Sequence, residues 1–428
     1  MIPSTGRAFE HVVSLQVSLK TTSDWARINW HDLEVHVTKR TLEAAGGGYL
    51  RSDGGYVVKA GYDTRAVSLK AEVRAVVTGP KPRIVLSKGN VGTSRLVVRS
   101  GRKKLADIEH KASVAGDTNN RIPVPLDGKA LARLPGAKMR HFPRLALAFY
   151  YAWYGTPAGP TGRWRHWNPS NKHHDSLNRP VGGWYDSLDP TVADRHCAQA
   201  RQAGLDGLIV SWWTDAGRNK RVLDNLLPAA RKHGIRLSIY IEDASSPKRL
   251  RAELKRLIKG PASSPVWLKA DGKPVFFLYT RVLEQQTRKQ LLSATVGLDA
   301  FIVGDTLDSE RLGDFDALHA YYNARKTEEY RRKLAKLRRK TRLVSKRLVA
   351  TIMPGYDDTV VRRPGFVRKR GKMAFMRRLF RAASGADWVL ITSFNEWHEG
   401  TEIEPSIEHG DSYLRRAAIE IARWRAGP

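Results

Sequence analysis

Between Ser393 and Glu402 the chain reads Ser-Phe-Asn-Glu-Trp-His-Glu-Gly-Thr-Glu, three carboxylates, an amide, an imidazole and an indole in ten residues. Side chains of these types suit cleavage of a glycosidic bond. That reaction needs two carboxyl groups flanking the bond, one protonating the departing oxygen and one assisting at the sugar. Glu396 and Glu399 are three residues apart, which puts both on one side of a turn or short helix. In an extended strand they would face opposite ways, so the chemistry requires the chain to curl immediately after Ser393. Glu402 and Glu404 follow closely and read as loop or cap carboxylates. His398 lies between two glutamates, but the zinc-protease order His-Glu-x-x-His is absent and no metal site is expected. The serine-hydrolase elbow Gly-x-Ser-x-Gly is absent as well.

The elements that must position this segment begin near Phe142. Apolar runs that read as strands are Ala146 to Tyr151, Gly207 to Trp212, Arg236 to Ile241, Pro274 to Tyr279, Phe301 to Gly304, Ala317 to Tyr321, Leu348 to Ile352 and Val389 to Ser393. Helical stretches near 190–203, 219–233, 247–259, 282–293, 326–340 and 370–385 separate them, and one near 411–424 follows. Gly204 and Gly234 serve as stop signals for two of the helices. Buried strands alternating with helices make a parallel sheet. Eight of them fit an α/β fold of the (β/α)8 TIM-barrel type. An open doubly wound sheet is the alternative, but no glycine-rich dinucleotide loop opens the first unit. A barrel carries its chemistry at the carboxyl ends of the strands. Those ends include Tyr150 to Gly155, Ser211-Trp212-Trp213, Tyr240 to Asp243, Tyr279-Thr280-Arg281, Tyr321-Tyr322-Asn323, Gly355 to Thr359 and the Ser393 segment. Aromatic faces can stack on a pyranose while the interleaved carboxylates and amides bind its hydroxyls.

Residues 1–140 read differently, as an all-β domain preceding a catalytic domain over 141–428. Val13 to Lys20 and Val67 to Val73 alternate apolar and polar residues, and further strands are expected at Leu33 to Thr38, Tyr56 to Ala60, Arg83 to Leu86 and Leu96 to Ser100. Glycine-rich turns between them suggest a β-sandwich. It either buttresses the catalytic domain or binds carbohydrate through Trp25, Trp30, Tyr49 or Tyr56.

With 41% hydrophobic residues and 12 Trp the 428-residue chain is globular, not disordered. Runs such as Leu208 to Trp213 are too short to cross a bilayer. The first residues, Met1 to Arg7, lack the pattern of a secretory leader. That leaves either a cytoplasmic protein or, as the expected reading, one exported or held at the cell surface after its leader is removed. Cys197 is the single cysteine, so no internal disulfide forms, and it reads as a half-buried helix residue. The formal charge of +32 favours acidic partners such as anionic cell-surface polymers. Its densest cluster, Arg331 to Arg347, reads as the solvated face of an amphipathic helix, and no nucleic-acid-binding signature accompanies it.

The motifs resemble glycoside hydrolase family 99, the endo-α-1,2-mannosidases and endo-α-mannanases, over roughly residues 144–425. Phe149 to Gly155 with Trp164 to Asn168, Gly355 to Thr359, and Ile391 to Glu404 carry the likeness. The resemblance implies a retaining endo-glycosidase on a (β/α)8 barrel, acting on an α-mannoside without metal or organic cofactor. On the family's model Glu396 takes the proton of the sugar 2-hydroxyl, whose oxygen attacks C1 to give a 1,2-anhydro sugar. Glu399 protonates the departing oxygen and then activates water. The resemblance also places Glu242 and Tyr321 in the sugar subsite. It makes Tyr151, Trp153, His166, Trp167, Trp212, Tyr356 and Asn395 wall or hydrogen-bonding residues. The chain departs from the family in the short stretch Asn171 to Tyr185 and in the basic region after Arg331. The alternatives are a glycosidase for an anionic polysaccharide and a non-catalytic glycan-binding barrel, against which the two glutamates argue.

Overall fold

The computed structural model describes residues 12–21, 25–31, 33–43, 48–50, 56–59, 67–78, 81–88, 93–111, 121–134, 142–170, 174–213, 216–321 and 327–427. The chain divides near residue 141 into two compact units, with residues 339–346 grouped with the first.

The first unit is a sandwich of two five-stranded sheets. One runs Leu33–Glu43, Val67–Val77, Val12–Thr21, Thr93–Ser100, Lys103–Lys111 and the other Arg121–Pro125, Arg83–Lys88, Trp25–His31, Tyr56–Lys59, Gly48–Leu50. All pairings are antiparallel. Alternation sends Val13, Leu15, Val17 and Leu19 inward, where they join Ile28, Ile84 and Leu86 of the facing sheet in one core. Sequence patterning missed four strands for physical reasons. Lys103–Lys111 and Arg121–Pro125 are edge strands, the first without a fully buried residue and the second interrupted by Pro123 and Pro125. Gly48–Leu50 is three residues long, and in Trp25–His31 polar residues dilute the signal. Trp30 packs partly buried against the sandwich core. The side chains of Trp25, Tyr49 and Tyr56 lie outside the described residues.

The second unit is a nearly closed barrel of eight parallel strands, β1 (Leu145–Tyr150), β2 (Gly207–Trp212), β3 (Arg236–Ile241), β4 (Lys273–Leu278), β5 (Phe301–Asp305), β6 (Ala317–His319), β7 (Val349–Ile352) and β8 (Trp388–Ile391). They hydrogen-bond in the order β6-β5-β4-β3-β2-β1-β8-β7. Helices α1 (Pro190–Gln202), α2 (Ala216–His233), α3 (Pro247–Lys259), α4 (Arg288–Thr295), α5 (Thr327–Val344), α6 (Ala374–Ala382) and α7 (Ser412–Ala426) accompany them, and only a 3-10 turn, Ser309–Gly313, joins β5 to β6. Asp189 and Ser246 cap α1 and α3 ahead of a proline. Gly204 and Gly234, at φ 76° and 67°, end α1 and α2 in the left-handed conformation that glycine adopts without strain. Among the described residues no helix is long and apolar enough to cross a membrane.

Inside the barrel, alternate residues Phe149, Ile209, Tyr240, Phe277, Val303 and Leu390 share one core. Cys197 is fully buried on α1, not half-buried, and burial pushes its thiol up to about 12. The basic cluster also needs correction. Arg331, Arg332, Lys333 and Lys336 are exposed on α5 while Leu334 and Leu337 are buried, but Arg347 is not solvated. Its guanidinium binds Asp271 at 2.8 and 2.9 Å and lies over Phe142, Phe301 and Trp388 at 4.3, 4.9 and 5.5 Å. Phe301 and Trp388 open β5 and β8, so Arg347 closes the end of the barrel opposite the strand C-termini.

Candidate active site

After β8 the chain curls at once. A 3-10 turn, Trp397–Glu399, ends at Gly400, whose φ of 54° is left-handed. Ser393 Oγ accepts from the Glu396 N–H at 2.7 Å, and Glu396 Oε1 accepts from the His398 N–H at 3.2 Å. This turn sets Glu396 and Glu399 on one side, where both line a cavity of about 900 Å³ at the strand C-termini. Tyr151, Trp153 and His166 supply one wall, with Glu242, Tyr279 and Tyr321 on others.

The two glutamates sit in different surroundings. Glu396 is buried; its Oε2 has no partner among the described residues. Burial, then the charge of Glu399, pushes its pKa well above the carboxylate range. Glu399 Oε2 accepts from the Tyr321 hydroxyl at 3.1 Å, which in turn accepts from the Tyr151 hydroxyl at 2.8 Å. Glu399 Oε1 accepts two N–H groups of Arg362 at 3.0 and 3.1 Å, with the Tyr356 hydroxyl 3.3 Å away. Burial raises Glu399 too, and Arg362 and the two tyrosines oppose the rise. Glu242 is pushed up to about 8 by burial, against the Ser211 hydroxyl that donates to it at 2.9 Å. His166 stacks on Trp153 at 4.5 Å, and burial takes it down to about 3. His398, which lines the cavity, joins its Nδ1 to the Asp175 carbonyl at 3.0 Å, and burial lowers its pKa, which favours the neutral ring. Among the described residues no cluster of three or more His, Cys, Asp or Glu is arranged to hold a metal ion.

The residue pattern of glycosyl hydrolase family 99 matches residues 142–415. The chain belongs to glycosyl hydrolase family 99. It is therefore a glycoside hydrolase. The glycoprotein endo-alpha-1,2-mannosidase of Mus musculus is 25% identical over 374 residues, 73% of this chain and 79% of that protein. The protein of the same name from Xenopus laevis is 26% identical over 364 residues, 71% of this chain and 79% of its own length. Among solved structures, the endo-alpha-mannosidase of this family from Bacteroides thetaiotaomicron, in complex with bis-tris-propane, matches with a TM-score of 0.59 at 26% identity. It covers 66% of this chain and 97% of that one.

In this family-99 barrel four of the expected wall residues are not among those lining the cavity. Trp212 shares the outward parity of Leu208 and Val210 on β2; its indole N–H donates to Glu253 at 2.7 Å, toward α3. Trp213, on the parity of Ile209 and Ser211, lines the cavity instead. Trp167 lies beneath, stacked on Tyr154 at 3.9 Å and donating to the Tyr185 carbonyl. Asn395 is fully buried and clamps the end of β1, its side chain accepting from Tyr151 N–H at 2.7 Å and donating to Tyr151 carbonyl at 2.9 Å. Tyr356 acts from behind Glu399, beside Asp358 and Arg362. Glu402 and Glu404 lie in the loop after the turn, as expected, but are buried struts: Glu402 binds Arg370 and Asn178, and Glu404 accepts from Tyr185 and bonds His196 at 2.9 Å each. Sequence reasoning missed Arg362 and Arg218 as cavity residues, and it named Trp213 and Arg281 at strand ends without counting them among the site residues. Trp213 had a further signal in the alternation of β2, and Arg281 in its place just after β4.

Proposed function

We propose that this glycoside hydrolase is a retaining endo-α-mannosidase that works through a 1,2-anhydro sugar, with Glu396 and Glu399 as its catalytic pair. The observation that carries the reading is the pair itself: two buried carboxyls in one cavity, both with raised pKa values, one with an oxygen that no described residue engages. The relatives named endo-alpha-1,2-mannosidase support the substrate assignment.

Burial and mutual repulsion favour one proton shared between the two carboxyls. Without substrate, Arg362 favours the charged form of Glu399, so the proton is held preferentially by Glu396. Substrate reverses that bias. A glycosidic oxygen can only accept a hydrogen bond, so against Glu399 it requires the acid form. A sugar 2-hydroxyl against Glu396 donates, so it favours the carboxylate there. Glu396 then takes the hydroxyl proton as O2 closes on C1, the C1–O bond breaks, and the Glu399 proton goes to the departing oxygen. In the second step Glu399 takes a proton from water, whose oxygen opens the strained ring at C1, and Glu396 returns its proton to O2. Two inversions at C1 amount to retention. Tyr151, Trp153, His166 and Glu242 provide stacking faces and hydroxyl partners around the ring.

The test is product analysis after incubation with α-mannans. The wild-type protein releases oligosaccharides from internal linkages with the α-configuration retained. Glu399→Gln and Glu396→Gln fold normally and release none; undiminished turnover by either removes the assignment.

A further inference from the structure

We propose that Trp213, Arg281 and Tyr279 form a subsite for a negatively charged substituent of the glycan, a phosphate or carboxylate group on a ring bound in the cavity. This rests on the reading of the cavity as a glycan site and adds the charge class of the glycan.

Arg281 follows β4 at the start of a short helix, Thr280–Glu284, and lines the cavity beside the end of β2. Its guanidinium carbon lies 5.2 Å from the centre of the Trp213 ring and 5.7 Å from that of Tyr279. Trp213 is itself pinned, its indole N–H donating to Ser211 Oγ at 3.0 Å. Stacking on aromatic faces uses the flat face of a guanidinium and leaves its N–H groups directed outward in plane. That planar fork matches the paired oxygens of a carboxylate or phosphate. Among the described residues none accepts a hydrogen bond from Arg281 or pairs with it as an ion.

The charge balance of the cavity points the same way. Four arginines, Arg165, Arg218, Arg281 and Arg362, line it against three carboxyls, Glu242, Glu396 and Glu399. Burial holds all three carboxyls toward the neutral form, Glu242 up to about 8. Arg362 is committed to Asp358 and Glu399, and Arg218 donates to the carbonyl oxygens of Ala152 and Tyr154. Arg281 favours the ionised form of Glu242, but burial raises that carboxyl, so the charge of Arg281 is only partly offset; a neutral mannose accepts its hydrogen bonds without using that charge. An anionic substituent gains a charge-assisted, paired contact in a partly desolvated wall.

The test is calorimetric titration of the full-length protein with non-hydrolysable thio-linked oligomannosides. One is neutral, one carries a phosphate monoester and one carries a uronic acid in place of a mannose. The expected result is that at least one anionic ligand binds about tenfold more tightly than the neutral one at low salt. The gain shrinks as salt is added, Arg281→Met abolishes it, and Arg281→Lys keeps part of it. The two anionic arms tell phosphate from carboxylate. Equal affinity for all three ligands overturns the subsite whether or not the variants fold, and so does an advantage that survives in Arg281→Met. Turnover of neutral α-mannan is measured separately. A protein that cleaves it yet shows no anionic preference has lost this subsite while keeping its mannosidase assignment.

Discussion

Replacing Arg362 with glutamine is expected to move the whole pH profile of kcat/KM upward by about one unit. The guanidinium nitrogens stand 3.0 and 3.1 Å from Glu399 Oε1. Unit charges about 4 Å apart interact by about 4 kcal/mol at an effective dielectric of about 20. The Arg362 side chain is 53% exposed, so screening by water reduces this to about 1.5 kcal/mol, equivalent to about one pKa unit. The sign follows from which form the arginine favours. It stabilises the carboxylate and opposes the rise that burial imposes on Glu399. Without it the coupled pair binds both its protons more tightly. On the proposed mechanism the active form holds one proton, so the acid and alkaline limbs both shift to higher pH. Asp358, left without Arg362, adds a negative charge nearby and acts in the same direction. The assay is release of reducing ends from a neutral α-mannooligosaccharide across the pH range, with Arg362→Lys restoring most of the original profile. A profile that stays in place, or moves to lower pH, while activity remains measurable refutes the electrostatic link between Arg362 and Glu399.

Neighbouring tryptophans on β2 give opposite phenotypes. Trp213→Ala raises KM with little change in thermal midpoint, whereas Trp212→Ala removes a buried indole and its bond to Glu253 and costs about 3–5 kcal/mol in denaturant titration; the reverse pattern contradicts the assigned parity. Cys197, buried with its thiol pushed up to about 12, resists alkylation in the native protein and reacts fully in denaturant. Native-state labelling at the rate of an exposed thiol contradicts that placement.

The barrel was legible because its strands are buried on both faces and read as continuous apolar runs between helices with recognisable stops. The curl after Ser393 was legible from chemistry: only a turn lets Glu396 and Glu399 act together. Finer placement was not. Trp212 and Trp213 are adjacent, and an error of one residue in strand parity exchanges the outside of the barrel for the cavity. Arg362 sits in a polar loop among other arginines, and nothing local marks it as the partner of a glutamate 37 residues away. Arg347 ends a basic run whose first members are solvated, so its burial depends on Asp271 and three distant rings. Lys103–Lys111 gave only a weak signal because, as an edge strand, it packs Leu105, Ala106 and Ile108 only partly buried against the core.

The central claim is that Glu396 acts through the sugar 2-hydroxyl. Its most direct test compares a mannooligosaccharide with its counterpart lacking the 2-hydroxyl on the ring whose bond is cleaved. The account predicts that the parent is cleaved with retention while the 2-deoxy substrate is bound but not cleaved. Cleavage of the 2-deoxy substrate at a rate comparable to the parent would contradict it.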